Sequence, residues 1–298
     1  MSRMTCKLGI LGLVSLFSVS AFASAQSGGF RADVVYGDDD RLDMYQVTDP
    51  TWRAIADSTV ALFESRTVIP QGGQSTLLTT PFGERMNLCT SEPFYDQGSG
   101  AFCSGSLVAP DLIMTAGHCI NTTSCSTTKI VFGFAANQPG ATVDSAPTSE
   151  VYNCRNVVQH SLNARTGLDY ALIRLDRAVT NHRPLAINRD PSTVTQGTQL
   201  VIIGHPSGLP TKVAGGAYVR DASHPIFLVA NTDSYGGNSG SAVFNAETGL
   251  IEGILVQGEE DFVPNFEQSC NESKKCDNEG CSGELITKIS HLSRFIPN

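Results

Sequence analysis

The chain has 298 residues, room for one large domain or two small ones with a sizeable core. With 41% hydrophobic and 16% charged residues it is no disordered chain. Its formal net charge of −9 offers no attractive field to nucleic acid or to anionic membrane surfaces. Twenty-eight glycines and 14 prolines imply many short turns, the habit of an all-β protein rather than a helical bundle.

At the N-terminus, Arg3 and Lys7 accompany the apolar stretch LGILGLVSLFSV at 8–19, and Ala23-Ser24-Ala25 forms a small-residue cleavage site. Residues 1–25 read as a secretory signal peptide; a cut after Ala23 satisfies the same rule. Beyond them no apolar run approaches the ~20 residues that span a bilayer, so no stable membrane association is expected. Of nine cysteines, Cys6 falls inside this leader. The other eight are Cys89, Cys103, Cys119, Cys125, Cys154, Cys270, Cys276 and Cys281. An even number in an exported chain implies disulfides and a secreted or periplasmic destination. Their spacing suits no zinc site, and neither a metal nor another cofactor is expected.

Residues 26–66 differ in character, with eight acidic residues, four arginines and no cysteine. The run Asp38-Asp39-Asp40 lacks the glycine and glutamate that an EF-hand loop requires, so it reads as a solvated acidic turn. The whole segment is expected to be a removable propeptide cut after Arg66; an ordinary N-terminal subdomain is the alternative.

From residue 101 onward, short Val-, Ile-, Leu- and Phe-rich runs alternate with Gly, Pro, Asn and Ser. They predict strands at 106–108, 112–115, 129–134, 170–175, 199–204, 226–229, 241–244 and 250–257. Ile289, Leu292 and Ile296 recur at helical spacing beside Phe295. The pattern is a sandwich or barrel closed by a C-terminal helix.

Three islands carry chemistry: CSGSLV at 103–108 with LIMTAGHC at 112–119, GLDYALIRL at 167–175, and DSYGGNSGS at 233–241. Together they resemble the chymotrypsin-like serine peptidases, in the order His, Asp, Ser. TAGHC and GGNSGS look most like the bacterial branch that includes the glutamyl endopeptidases. An α/β-hydrolase would need G-x-S-x-G and a serine ahead of its acid and histidine; Ser241 and the order here exclude it.

The resemblance covers roughly residues 67–298. It implies two six-stranded-type antiparallel β-barrels, with protein or peptide chains as substrates. Ser239 is then the nucleophile, His118 its base and Asp169 the group that orients the imidazole. Gly237 and Ser239 supply oxyanion N–H groups, and Cys103 pairs with Cys119. Asp233, six residues before Ser239, matches the pocket floor of the trypsin-like members, with Gly258 and Gly283 at open pocket walls. That implies cleavage after Arg or Lys. Cleavage after glutamate is the alternative, but the histidine of the glutamate-specific members is matched here by Leu255. A catalytically silent homologue acting as a binding protein is the rival from another class, opposed by the intact His118, Asp169 and Ser239. Asn238 and Tyr235 depart from the trypsin pattern, at its activation aspartate and its rim cysteine. Cys125–Cys154 is a plausible further pair, and Cys270–Cys281 a possible brace for the rim.

Overall fold

Six β-strands close the first of two barrels: β1 (Thr59–Glu64), β2 (Cys103–Ala109), β3 (Leu112–Thr115), β4 (Thr128–Phe132), β5 (Val151–Leu162) and β6 (Asp169–Leu175). Around it they run β4-β5-β6-β3-β2-β1, and β1 pairs back onto β4 through Ile130 and Leu62. This is a computed structural model; it describes residue 1 and residues 34–298, and the latter belong to one compact unit. The expected leader, its cleavage site and residues 26–33 lie outside the described residues.

The second barrel consists of β7 (Gln199–Gly204), β8 (Lys212–Asp221), β9 (Phe227–Ala230), β10 (Ala242–Asn245), β11 (Ile251–Gln257) and β12 (Glu284–Lys288). Its order is β7-β10-β11-β12-β9-β8, closed by β7 on β8, and every pairing in both barrels is antiparallel. Closure leaves no free sheet edge.

The two-residue alternation of strands explains the long apolar runs. In β7, Leu200 and Ile202 fill the second barrel, while Val201 and Ile203 join the cluster that continues into the first. Both faces are buried, so the sequence QLVIIG shows no polar alternation.

Eight of these strands fall where the apolar runs predicted them. The other four are β1, β5, β8 and β12, and β1 lies inside the segment expected to be a propeptide. Residues 26–66 were expected to be removable, yet β1 hydrogen-bonds to β2 and β4 on either side. Its Val60, Ala61, Leu62 and Phe63 are fully buried. Cutting after Arg66 would separate a stave of the first barrel from the rest of the chain. Further upstream, Arg41–Asp43 pairs with β8, and Val35–Tyr36 pairs with Lys275–Cys276. The acidic turn between them is exposed at Gly37–Asp40. Even so, Asp39 pairs at 2.7 Å with Arg41, whose guanidinium is buried over the Tyr235 ring.

The closing C-terminal helix is also corrected. Ile289, Leu292 and Ile296 are buried as expected, but at the start of, between and just after two 3-10 turns, Ile289–His291 and Ser293–Phe295, rather than on an α-helix. The disulfides are Cys103–Cys119, Cys125–Cys154, Cys89–Cys270 and Cys276–Cys281. The first two were anticipated. The Cys270–Cys281 brace does not form, because each of its members has another partner.

Candidate active site

Antiparallel pairing of β3 with β6 sets Thr115 opposite Ala171. The loop after β3 therefore lies beside the first residue of β6, and this brings His118 to Asp169. His118 Nδ1 is 2.6 Å from Asp169 Oδ2. The other carboxylate oxygen accepts the backbone N–H of Gly117 at 2.5 Å and of His118 at 3.1 Å. Three donors thus fix an aspartate that is nearly buried. Gly117 has to be glycine: a Cβ there would lie 2.1 Å from the Ser161 carbonyl oxygen. His160 braces the same loop, its Nε2 2.9 Å from the Gly117 carbonyl oxygen.

Ser239 lies on the turn between β9 and β10 and packs against this histidine loop. Its carbonyl oxygen accepts the N–H of Ser104 at 2.9 Å and lies 3.5 Å from Sγ of Cys119, the residue after His118. The next residue, Gly240, has φ +89°, and a Cβ on it would meet Ser104 O and Thr115 Oγ1 at 2.2 Å. The turn that bears Ser239 can approach the histidine loop this closely only with glycine there. Gly237, at φ +102°, is equally confined: its Cβ would lie 2.8 Å from His205 O and Gly208 N.

A count of the peptide groups shows what the turn offers. Gly236 N–H goes to the Asp261 carboxylate, Asn238 N–H to Tyr235 O, Gly240 N–H to Leu255 O and Ser241 N–H to Asn238 O. Among the described residues, the amides of Gly237 and Ser239 are the two in this stretch that donate neither to a backbone carbonyl nor to a side-chain carboxylate. These are the two expected to face an oxyanion.

His118 and the sulfurs of Cys103 and Cys119 lie within 4.8 Å of one another. Those sulfurs are bonded to each other and so are not thiolate ligands.

Asp233, expected at the floor of the specificity pocket, has an unforeseen partner. Asp233 is buried, and both its oxygens accept amides of the N-terminal segment at 2.7 Å: Tyr36 N–H on Oδ1, Asp40 N–H on Oδ2. Burial pushes its carboxyl up to about 7, against those two hydrogen bonds and the nearby Arg41 charge. Gly258 follows β11 directly. Gly283, at φ +85°, lies just before β12, and a Cβ there would be 2.5 Å from Val229 Cγ1. Leu255 points into the core of the second barrel. Sequence reasoning missed Glu284 and Asp261. Glu284 is fully buried, 3.3 Å from both Ser234 Oγ and Tyr36 OH. Neither belongs to a motif, so no local signal marks them.

Asn238 and Tyr235 show how the departures are accommodated. Asn238 Oδ1 accepts the Ser241 hydroxyl at 3.1 Å, so the carboxylate that grips the N-terminal segment is Asp233. Tyr235 is fully buried against Phe82 and Phe262, and its hydroxyl accepts from Arg41 at 2.8 Å. An aromatic cluster braces the place where a cystine was expected.

Residues 103–254, which hold all three islands, match the family model described as a trypsin-like peptidase domain. The chain belongs to that family. This trypsin-like peptidase is also 30% identical over 147 residues to a glutamyl endopeptidase of Bacillus licheniformis. That alignment covers 48% of the chain and 45% of the relative, less than half the relative's length. Among solved structures it is similar to a Glu endopeptidase in complex with MPD, with a TM-score of 0.49 and 20% identity over 88% of this chain and 97% of that one. Human heparin binding protein gives a TM-score of 0.50 at 13% identity, over 88% and 95% of the two chains. That last likeness shows the fold alone.

Proposed function

We propose that this trypsin-like peptidase is an exported serine endopeptidase that works through an acyl-enzyme on Ser239. The observation that carries this is the 2.6 Å contact between His118 Nδ1 and Asp169 Oδ2. Asp169, held by two backbone amides, keeps the imidazole in the tautomer whose Nε2 can accept a proton. His118 then takes the Ser239 proton as the hydroxyl attacks the scissile carbonyl, and returns it to the leaving amine. Charge developing on the carbonyl oxygen is met by the N–H groups of Gly237 and Ser239. Four disulfides among the described residues suit an oxidising, secreted or periplasmic setting.

The preference proposed is for Arg or Lys before the scissile bond, supported by the buried carboxylates Asp233, Asp261 and Glu284 around the turn that bears Ser239. Cleavage after glutamate has its own support: both Asp233 oxygens are already engaged, and the 30% identical relative is a glutamyl endopeptidase. The experiment has two parts. A serine-directed fluorophosphonate should label wild type and not Ser239→Ala; labelling of both, or turnover by the variant, refutes the mechanism. Peptides differing only in the residue before the scissile bond then read the preference, and a clear glutamate preference refutes the basic one.

A further inference from the structure

We infer that the hydroxyl of Ser104 is a positioning group for the oxyanion-stabilising turn, an inference that rests on Ser239 being the nucleophile. Ser104 is the second residue of β2 in the first barrel and is fully buried. It reaches across to the second barrel with two groups. Its N–H donates to Ser239 O at 2.9 Å, and its Oγ donates to Gly237 O at 2.8 Å. The direction of the second bond follows from chemistry. His205 N–H, which can only donate, already points at Ser104 Oγ from 2.9 Å, while the Gly237 carbonyl can only accept. The hydroxyl proton is therefore directed at Gly237 O.

The consequence follows from peptide planarity. Each peptide group is rigid, so fixing its carbonyl fixes the direction of the N–H on the other side. The Gly236–Gly237 peptide has its carbonyl held by Ser207 N–H at 2.6 Å. The Asn238–Ser239 carbonyl is held by Ser241 N–H at 2.7 Å. Between these two planes, whose N–H groups face the oxyanion, lies the Gly237–Asn238 peptide, and Ser104 Oγ anchors its carbonyl. Gly237 is the flexible joint of the turn, since its positive φ is one that glycine leaves and re-enters easily. Without the hydroxyl, Gly237 O loses its donor, and the middle plane keeps a single anchor, its Asn238 N–H on Tyr235 O at 2.9 Å, about which it can tilt as Gly237 O seeks another donor. Rotation there carries the neighbouring N–H groups off the position of the developing charge.

The motif CSGSLV shows a serine beside the cystine but assigns it nothing; only the contact between barrels gives it a partner. Ser104 touches no reacting atom in this scheme and acts through Gly237.

The test uses the full exported protein with Ser104→Ala, which removes only the hydroxyl, and, in parallel, Ser104→Gly, which removes the whole side chain; both keep the N–H to Ser239 O. Rates are expressed per site titrated with fluorophosphonate. A misaligned oxyanion donor is a transition-state defect, so kcat should fall about 10-fold or more with KM within about twofold. Affinity for a peptide boronate, whose tetrahedral adduct places an oxygen in the hole, should fall by a similar factor. A purely structural role would lower Tm and the number of titratable sites but leave kcat per site unchanged. If kcat per site stays within about twofold of wild type in whichever variant folds, or if the loss lies in KM alone, the inference is overturned. Ser239→Ala is run beside them; its retention of turnover overturns the nucleophile assignment itself, an outcome separate from any result at Ser104.

Discussion

Asp233 accepts the backbone N–H of Tyr36 at 2.7 Å, a contact between residues 197 apart in sequence. With Asp40 N–H on its other oxygen, the carboxylate stitches the N-terminal segment to the turn that carries Ser239. The segment from Val34 to Glu64 is therefore packed into the same compact unit as the rest of the described chain.

A truncation beginning at Thr67 should consequently fail to fold. It removes β1 from a closed barrel and deletes both Asp233 donors and Arg41. Circular dichroism and thermal melting of the truncated chain check this. A cooperative melt with peptidase activity from a chain starting at Thr67 contradicts it.

Asp169→Asn should keep the fold and lose about 10⁴ in kcat. The amide keeps the shape of the carboxylate but stabilises the wrong imidazole tautomer. Its NH2 must also face either His118 Nδ1 or the N–H groups of Gly117 and His118. Steady-state kinetics beside a thermal melt separate the catalytic effect from any loss of structure.

Lys212→Ala should be among the most destabilising single changes. Its ammonium is buried, 2.5 Å from Asp43 Oδ1 and 2.7 Å from Gln97 Oε1, and burial pulls it down to about 8 despite the Asp43 charge. Removing it leaves Asp43 buried with Gln97 as its remaining side-chain donor. A broken buried ion pair costs roughly 3–5 kcal/mol, whereas replacing both members with apolar residues can be near neutral. Urea unfolding of Lys212→Ala and of Lys212→Met/Asp43→Leu should show the double variant as the more stable of the two.

His182 should make stability depend on pH. It is stacked on Phe132 and lies between Asp57, 2.7 Å from Nδ1, and Glu150, 2.8 Å from Nε2. Burial lowers its pKa, but the two carboxylates outweigh burial and the net shift is upward. The folded protein thus binds this proton more tightly than the unfolded chain does. The stabilisation is complete below the unfolded value of about 6.5 and is lost as pH rises through the higher folded value. Tm of wild type should drop across that window, by ~2–4 °C per kcal/mol in a chain of this size. His182→Gln should flatten the profile; an unchanged slope in the variant assigns the pH dependence to other groups.

The four strands that escaped the sequence pattern did so for different reasons. β5, with VYNCRNVVQHSL, is polar along much of its exposed face and has register shifts after Cys154 and Val157, so neither alternation nor an apolar run survives. β8 contains Gly215-Gly216, a turn signal in isolation. β12 is five residues long and begins with a buried glutamate. β1 has a fully apolar centre, but the acidic residues ahead of it made the segment look separable.

By itself the sequence was sufficient for the all-β class and the three motif islands, and the resemblance those islands carry implied the Cys103–Cys119 cystine. Those depend on local composition and on residue types at short spacing, and such signals survive without tertiary contacts. Only the folded chain decided that Thr59–Glu64 is a stave of the first barrel, that Asp233 is held by Tyr36 and Asp40, and that Ser104 is bonded to Gly237. Each of these joins a side chain to a backbone group more than a hundred residues away or closes a barrel. Backbone N–H and C=O groups are the same at every position. No residue type advertises which distant amide will satisfy a buried carboxylate or carbonyl; strand register and barrel closure choose it.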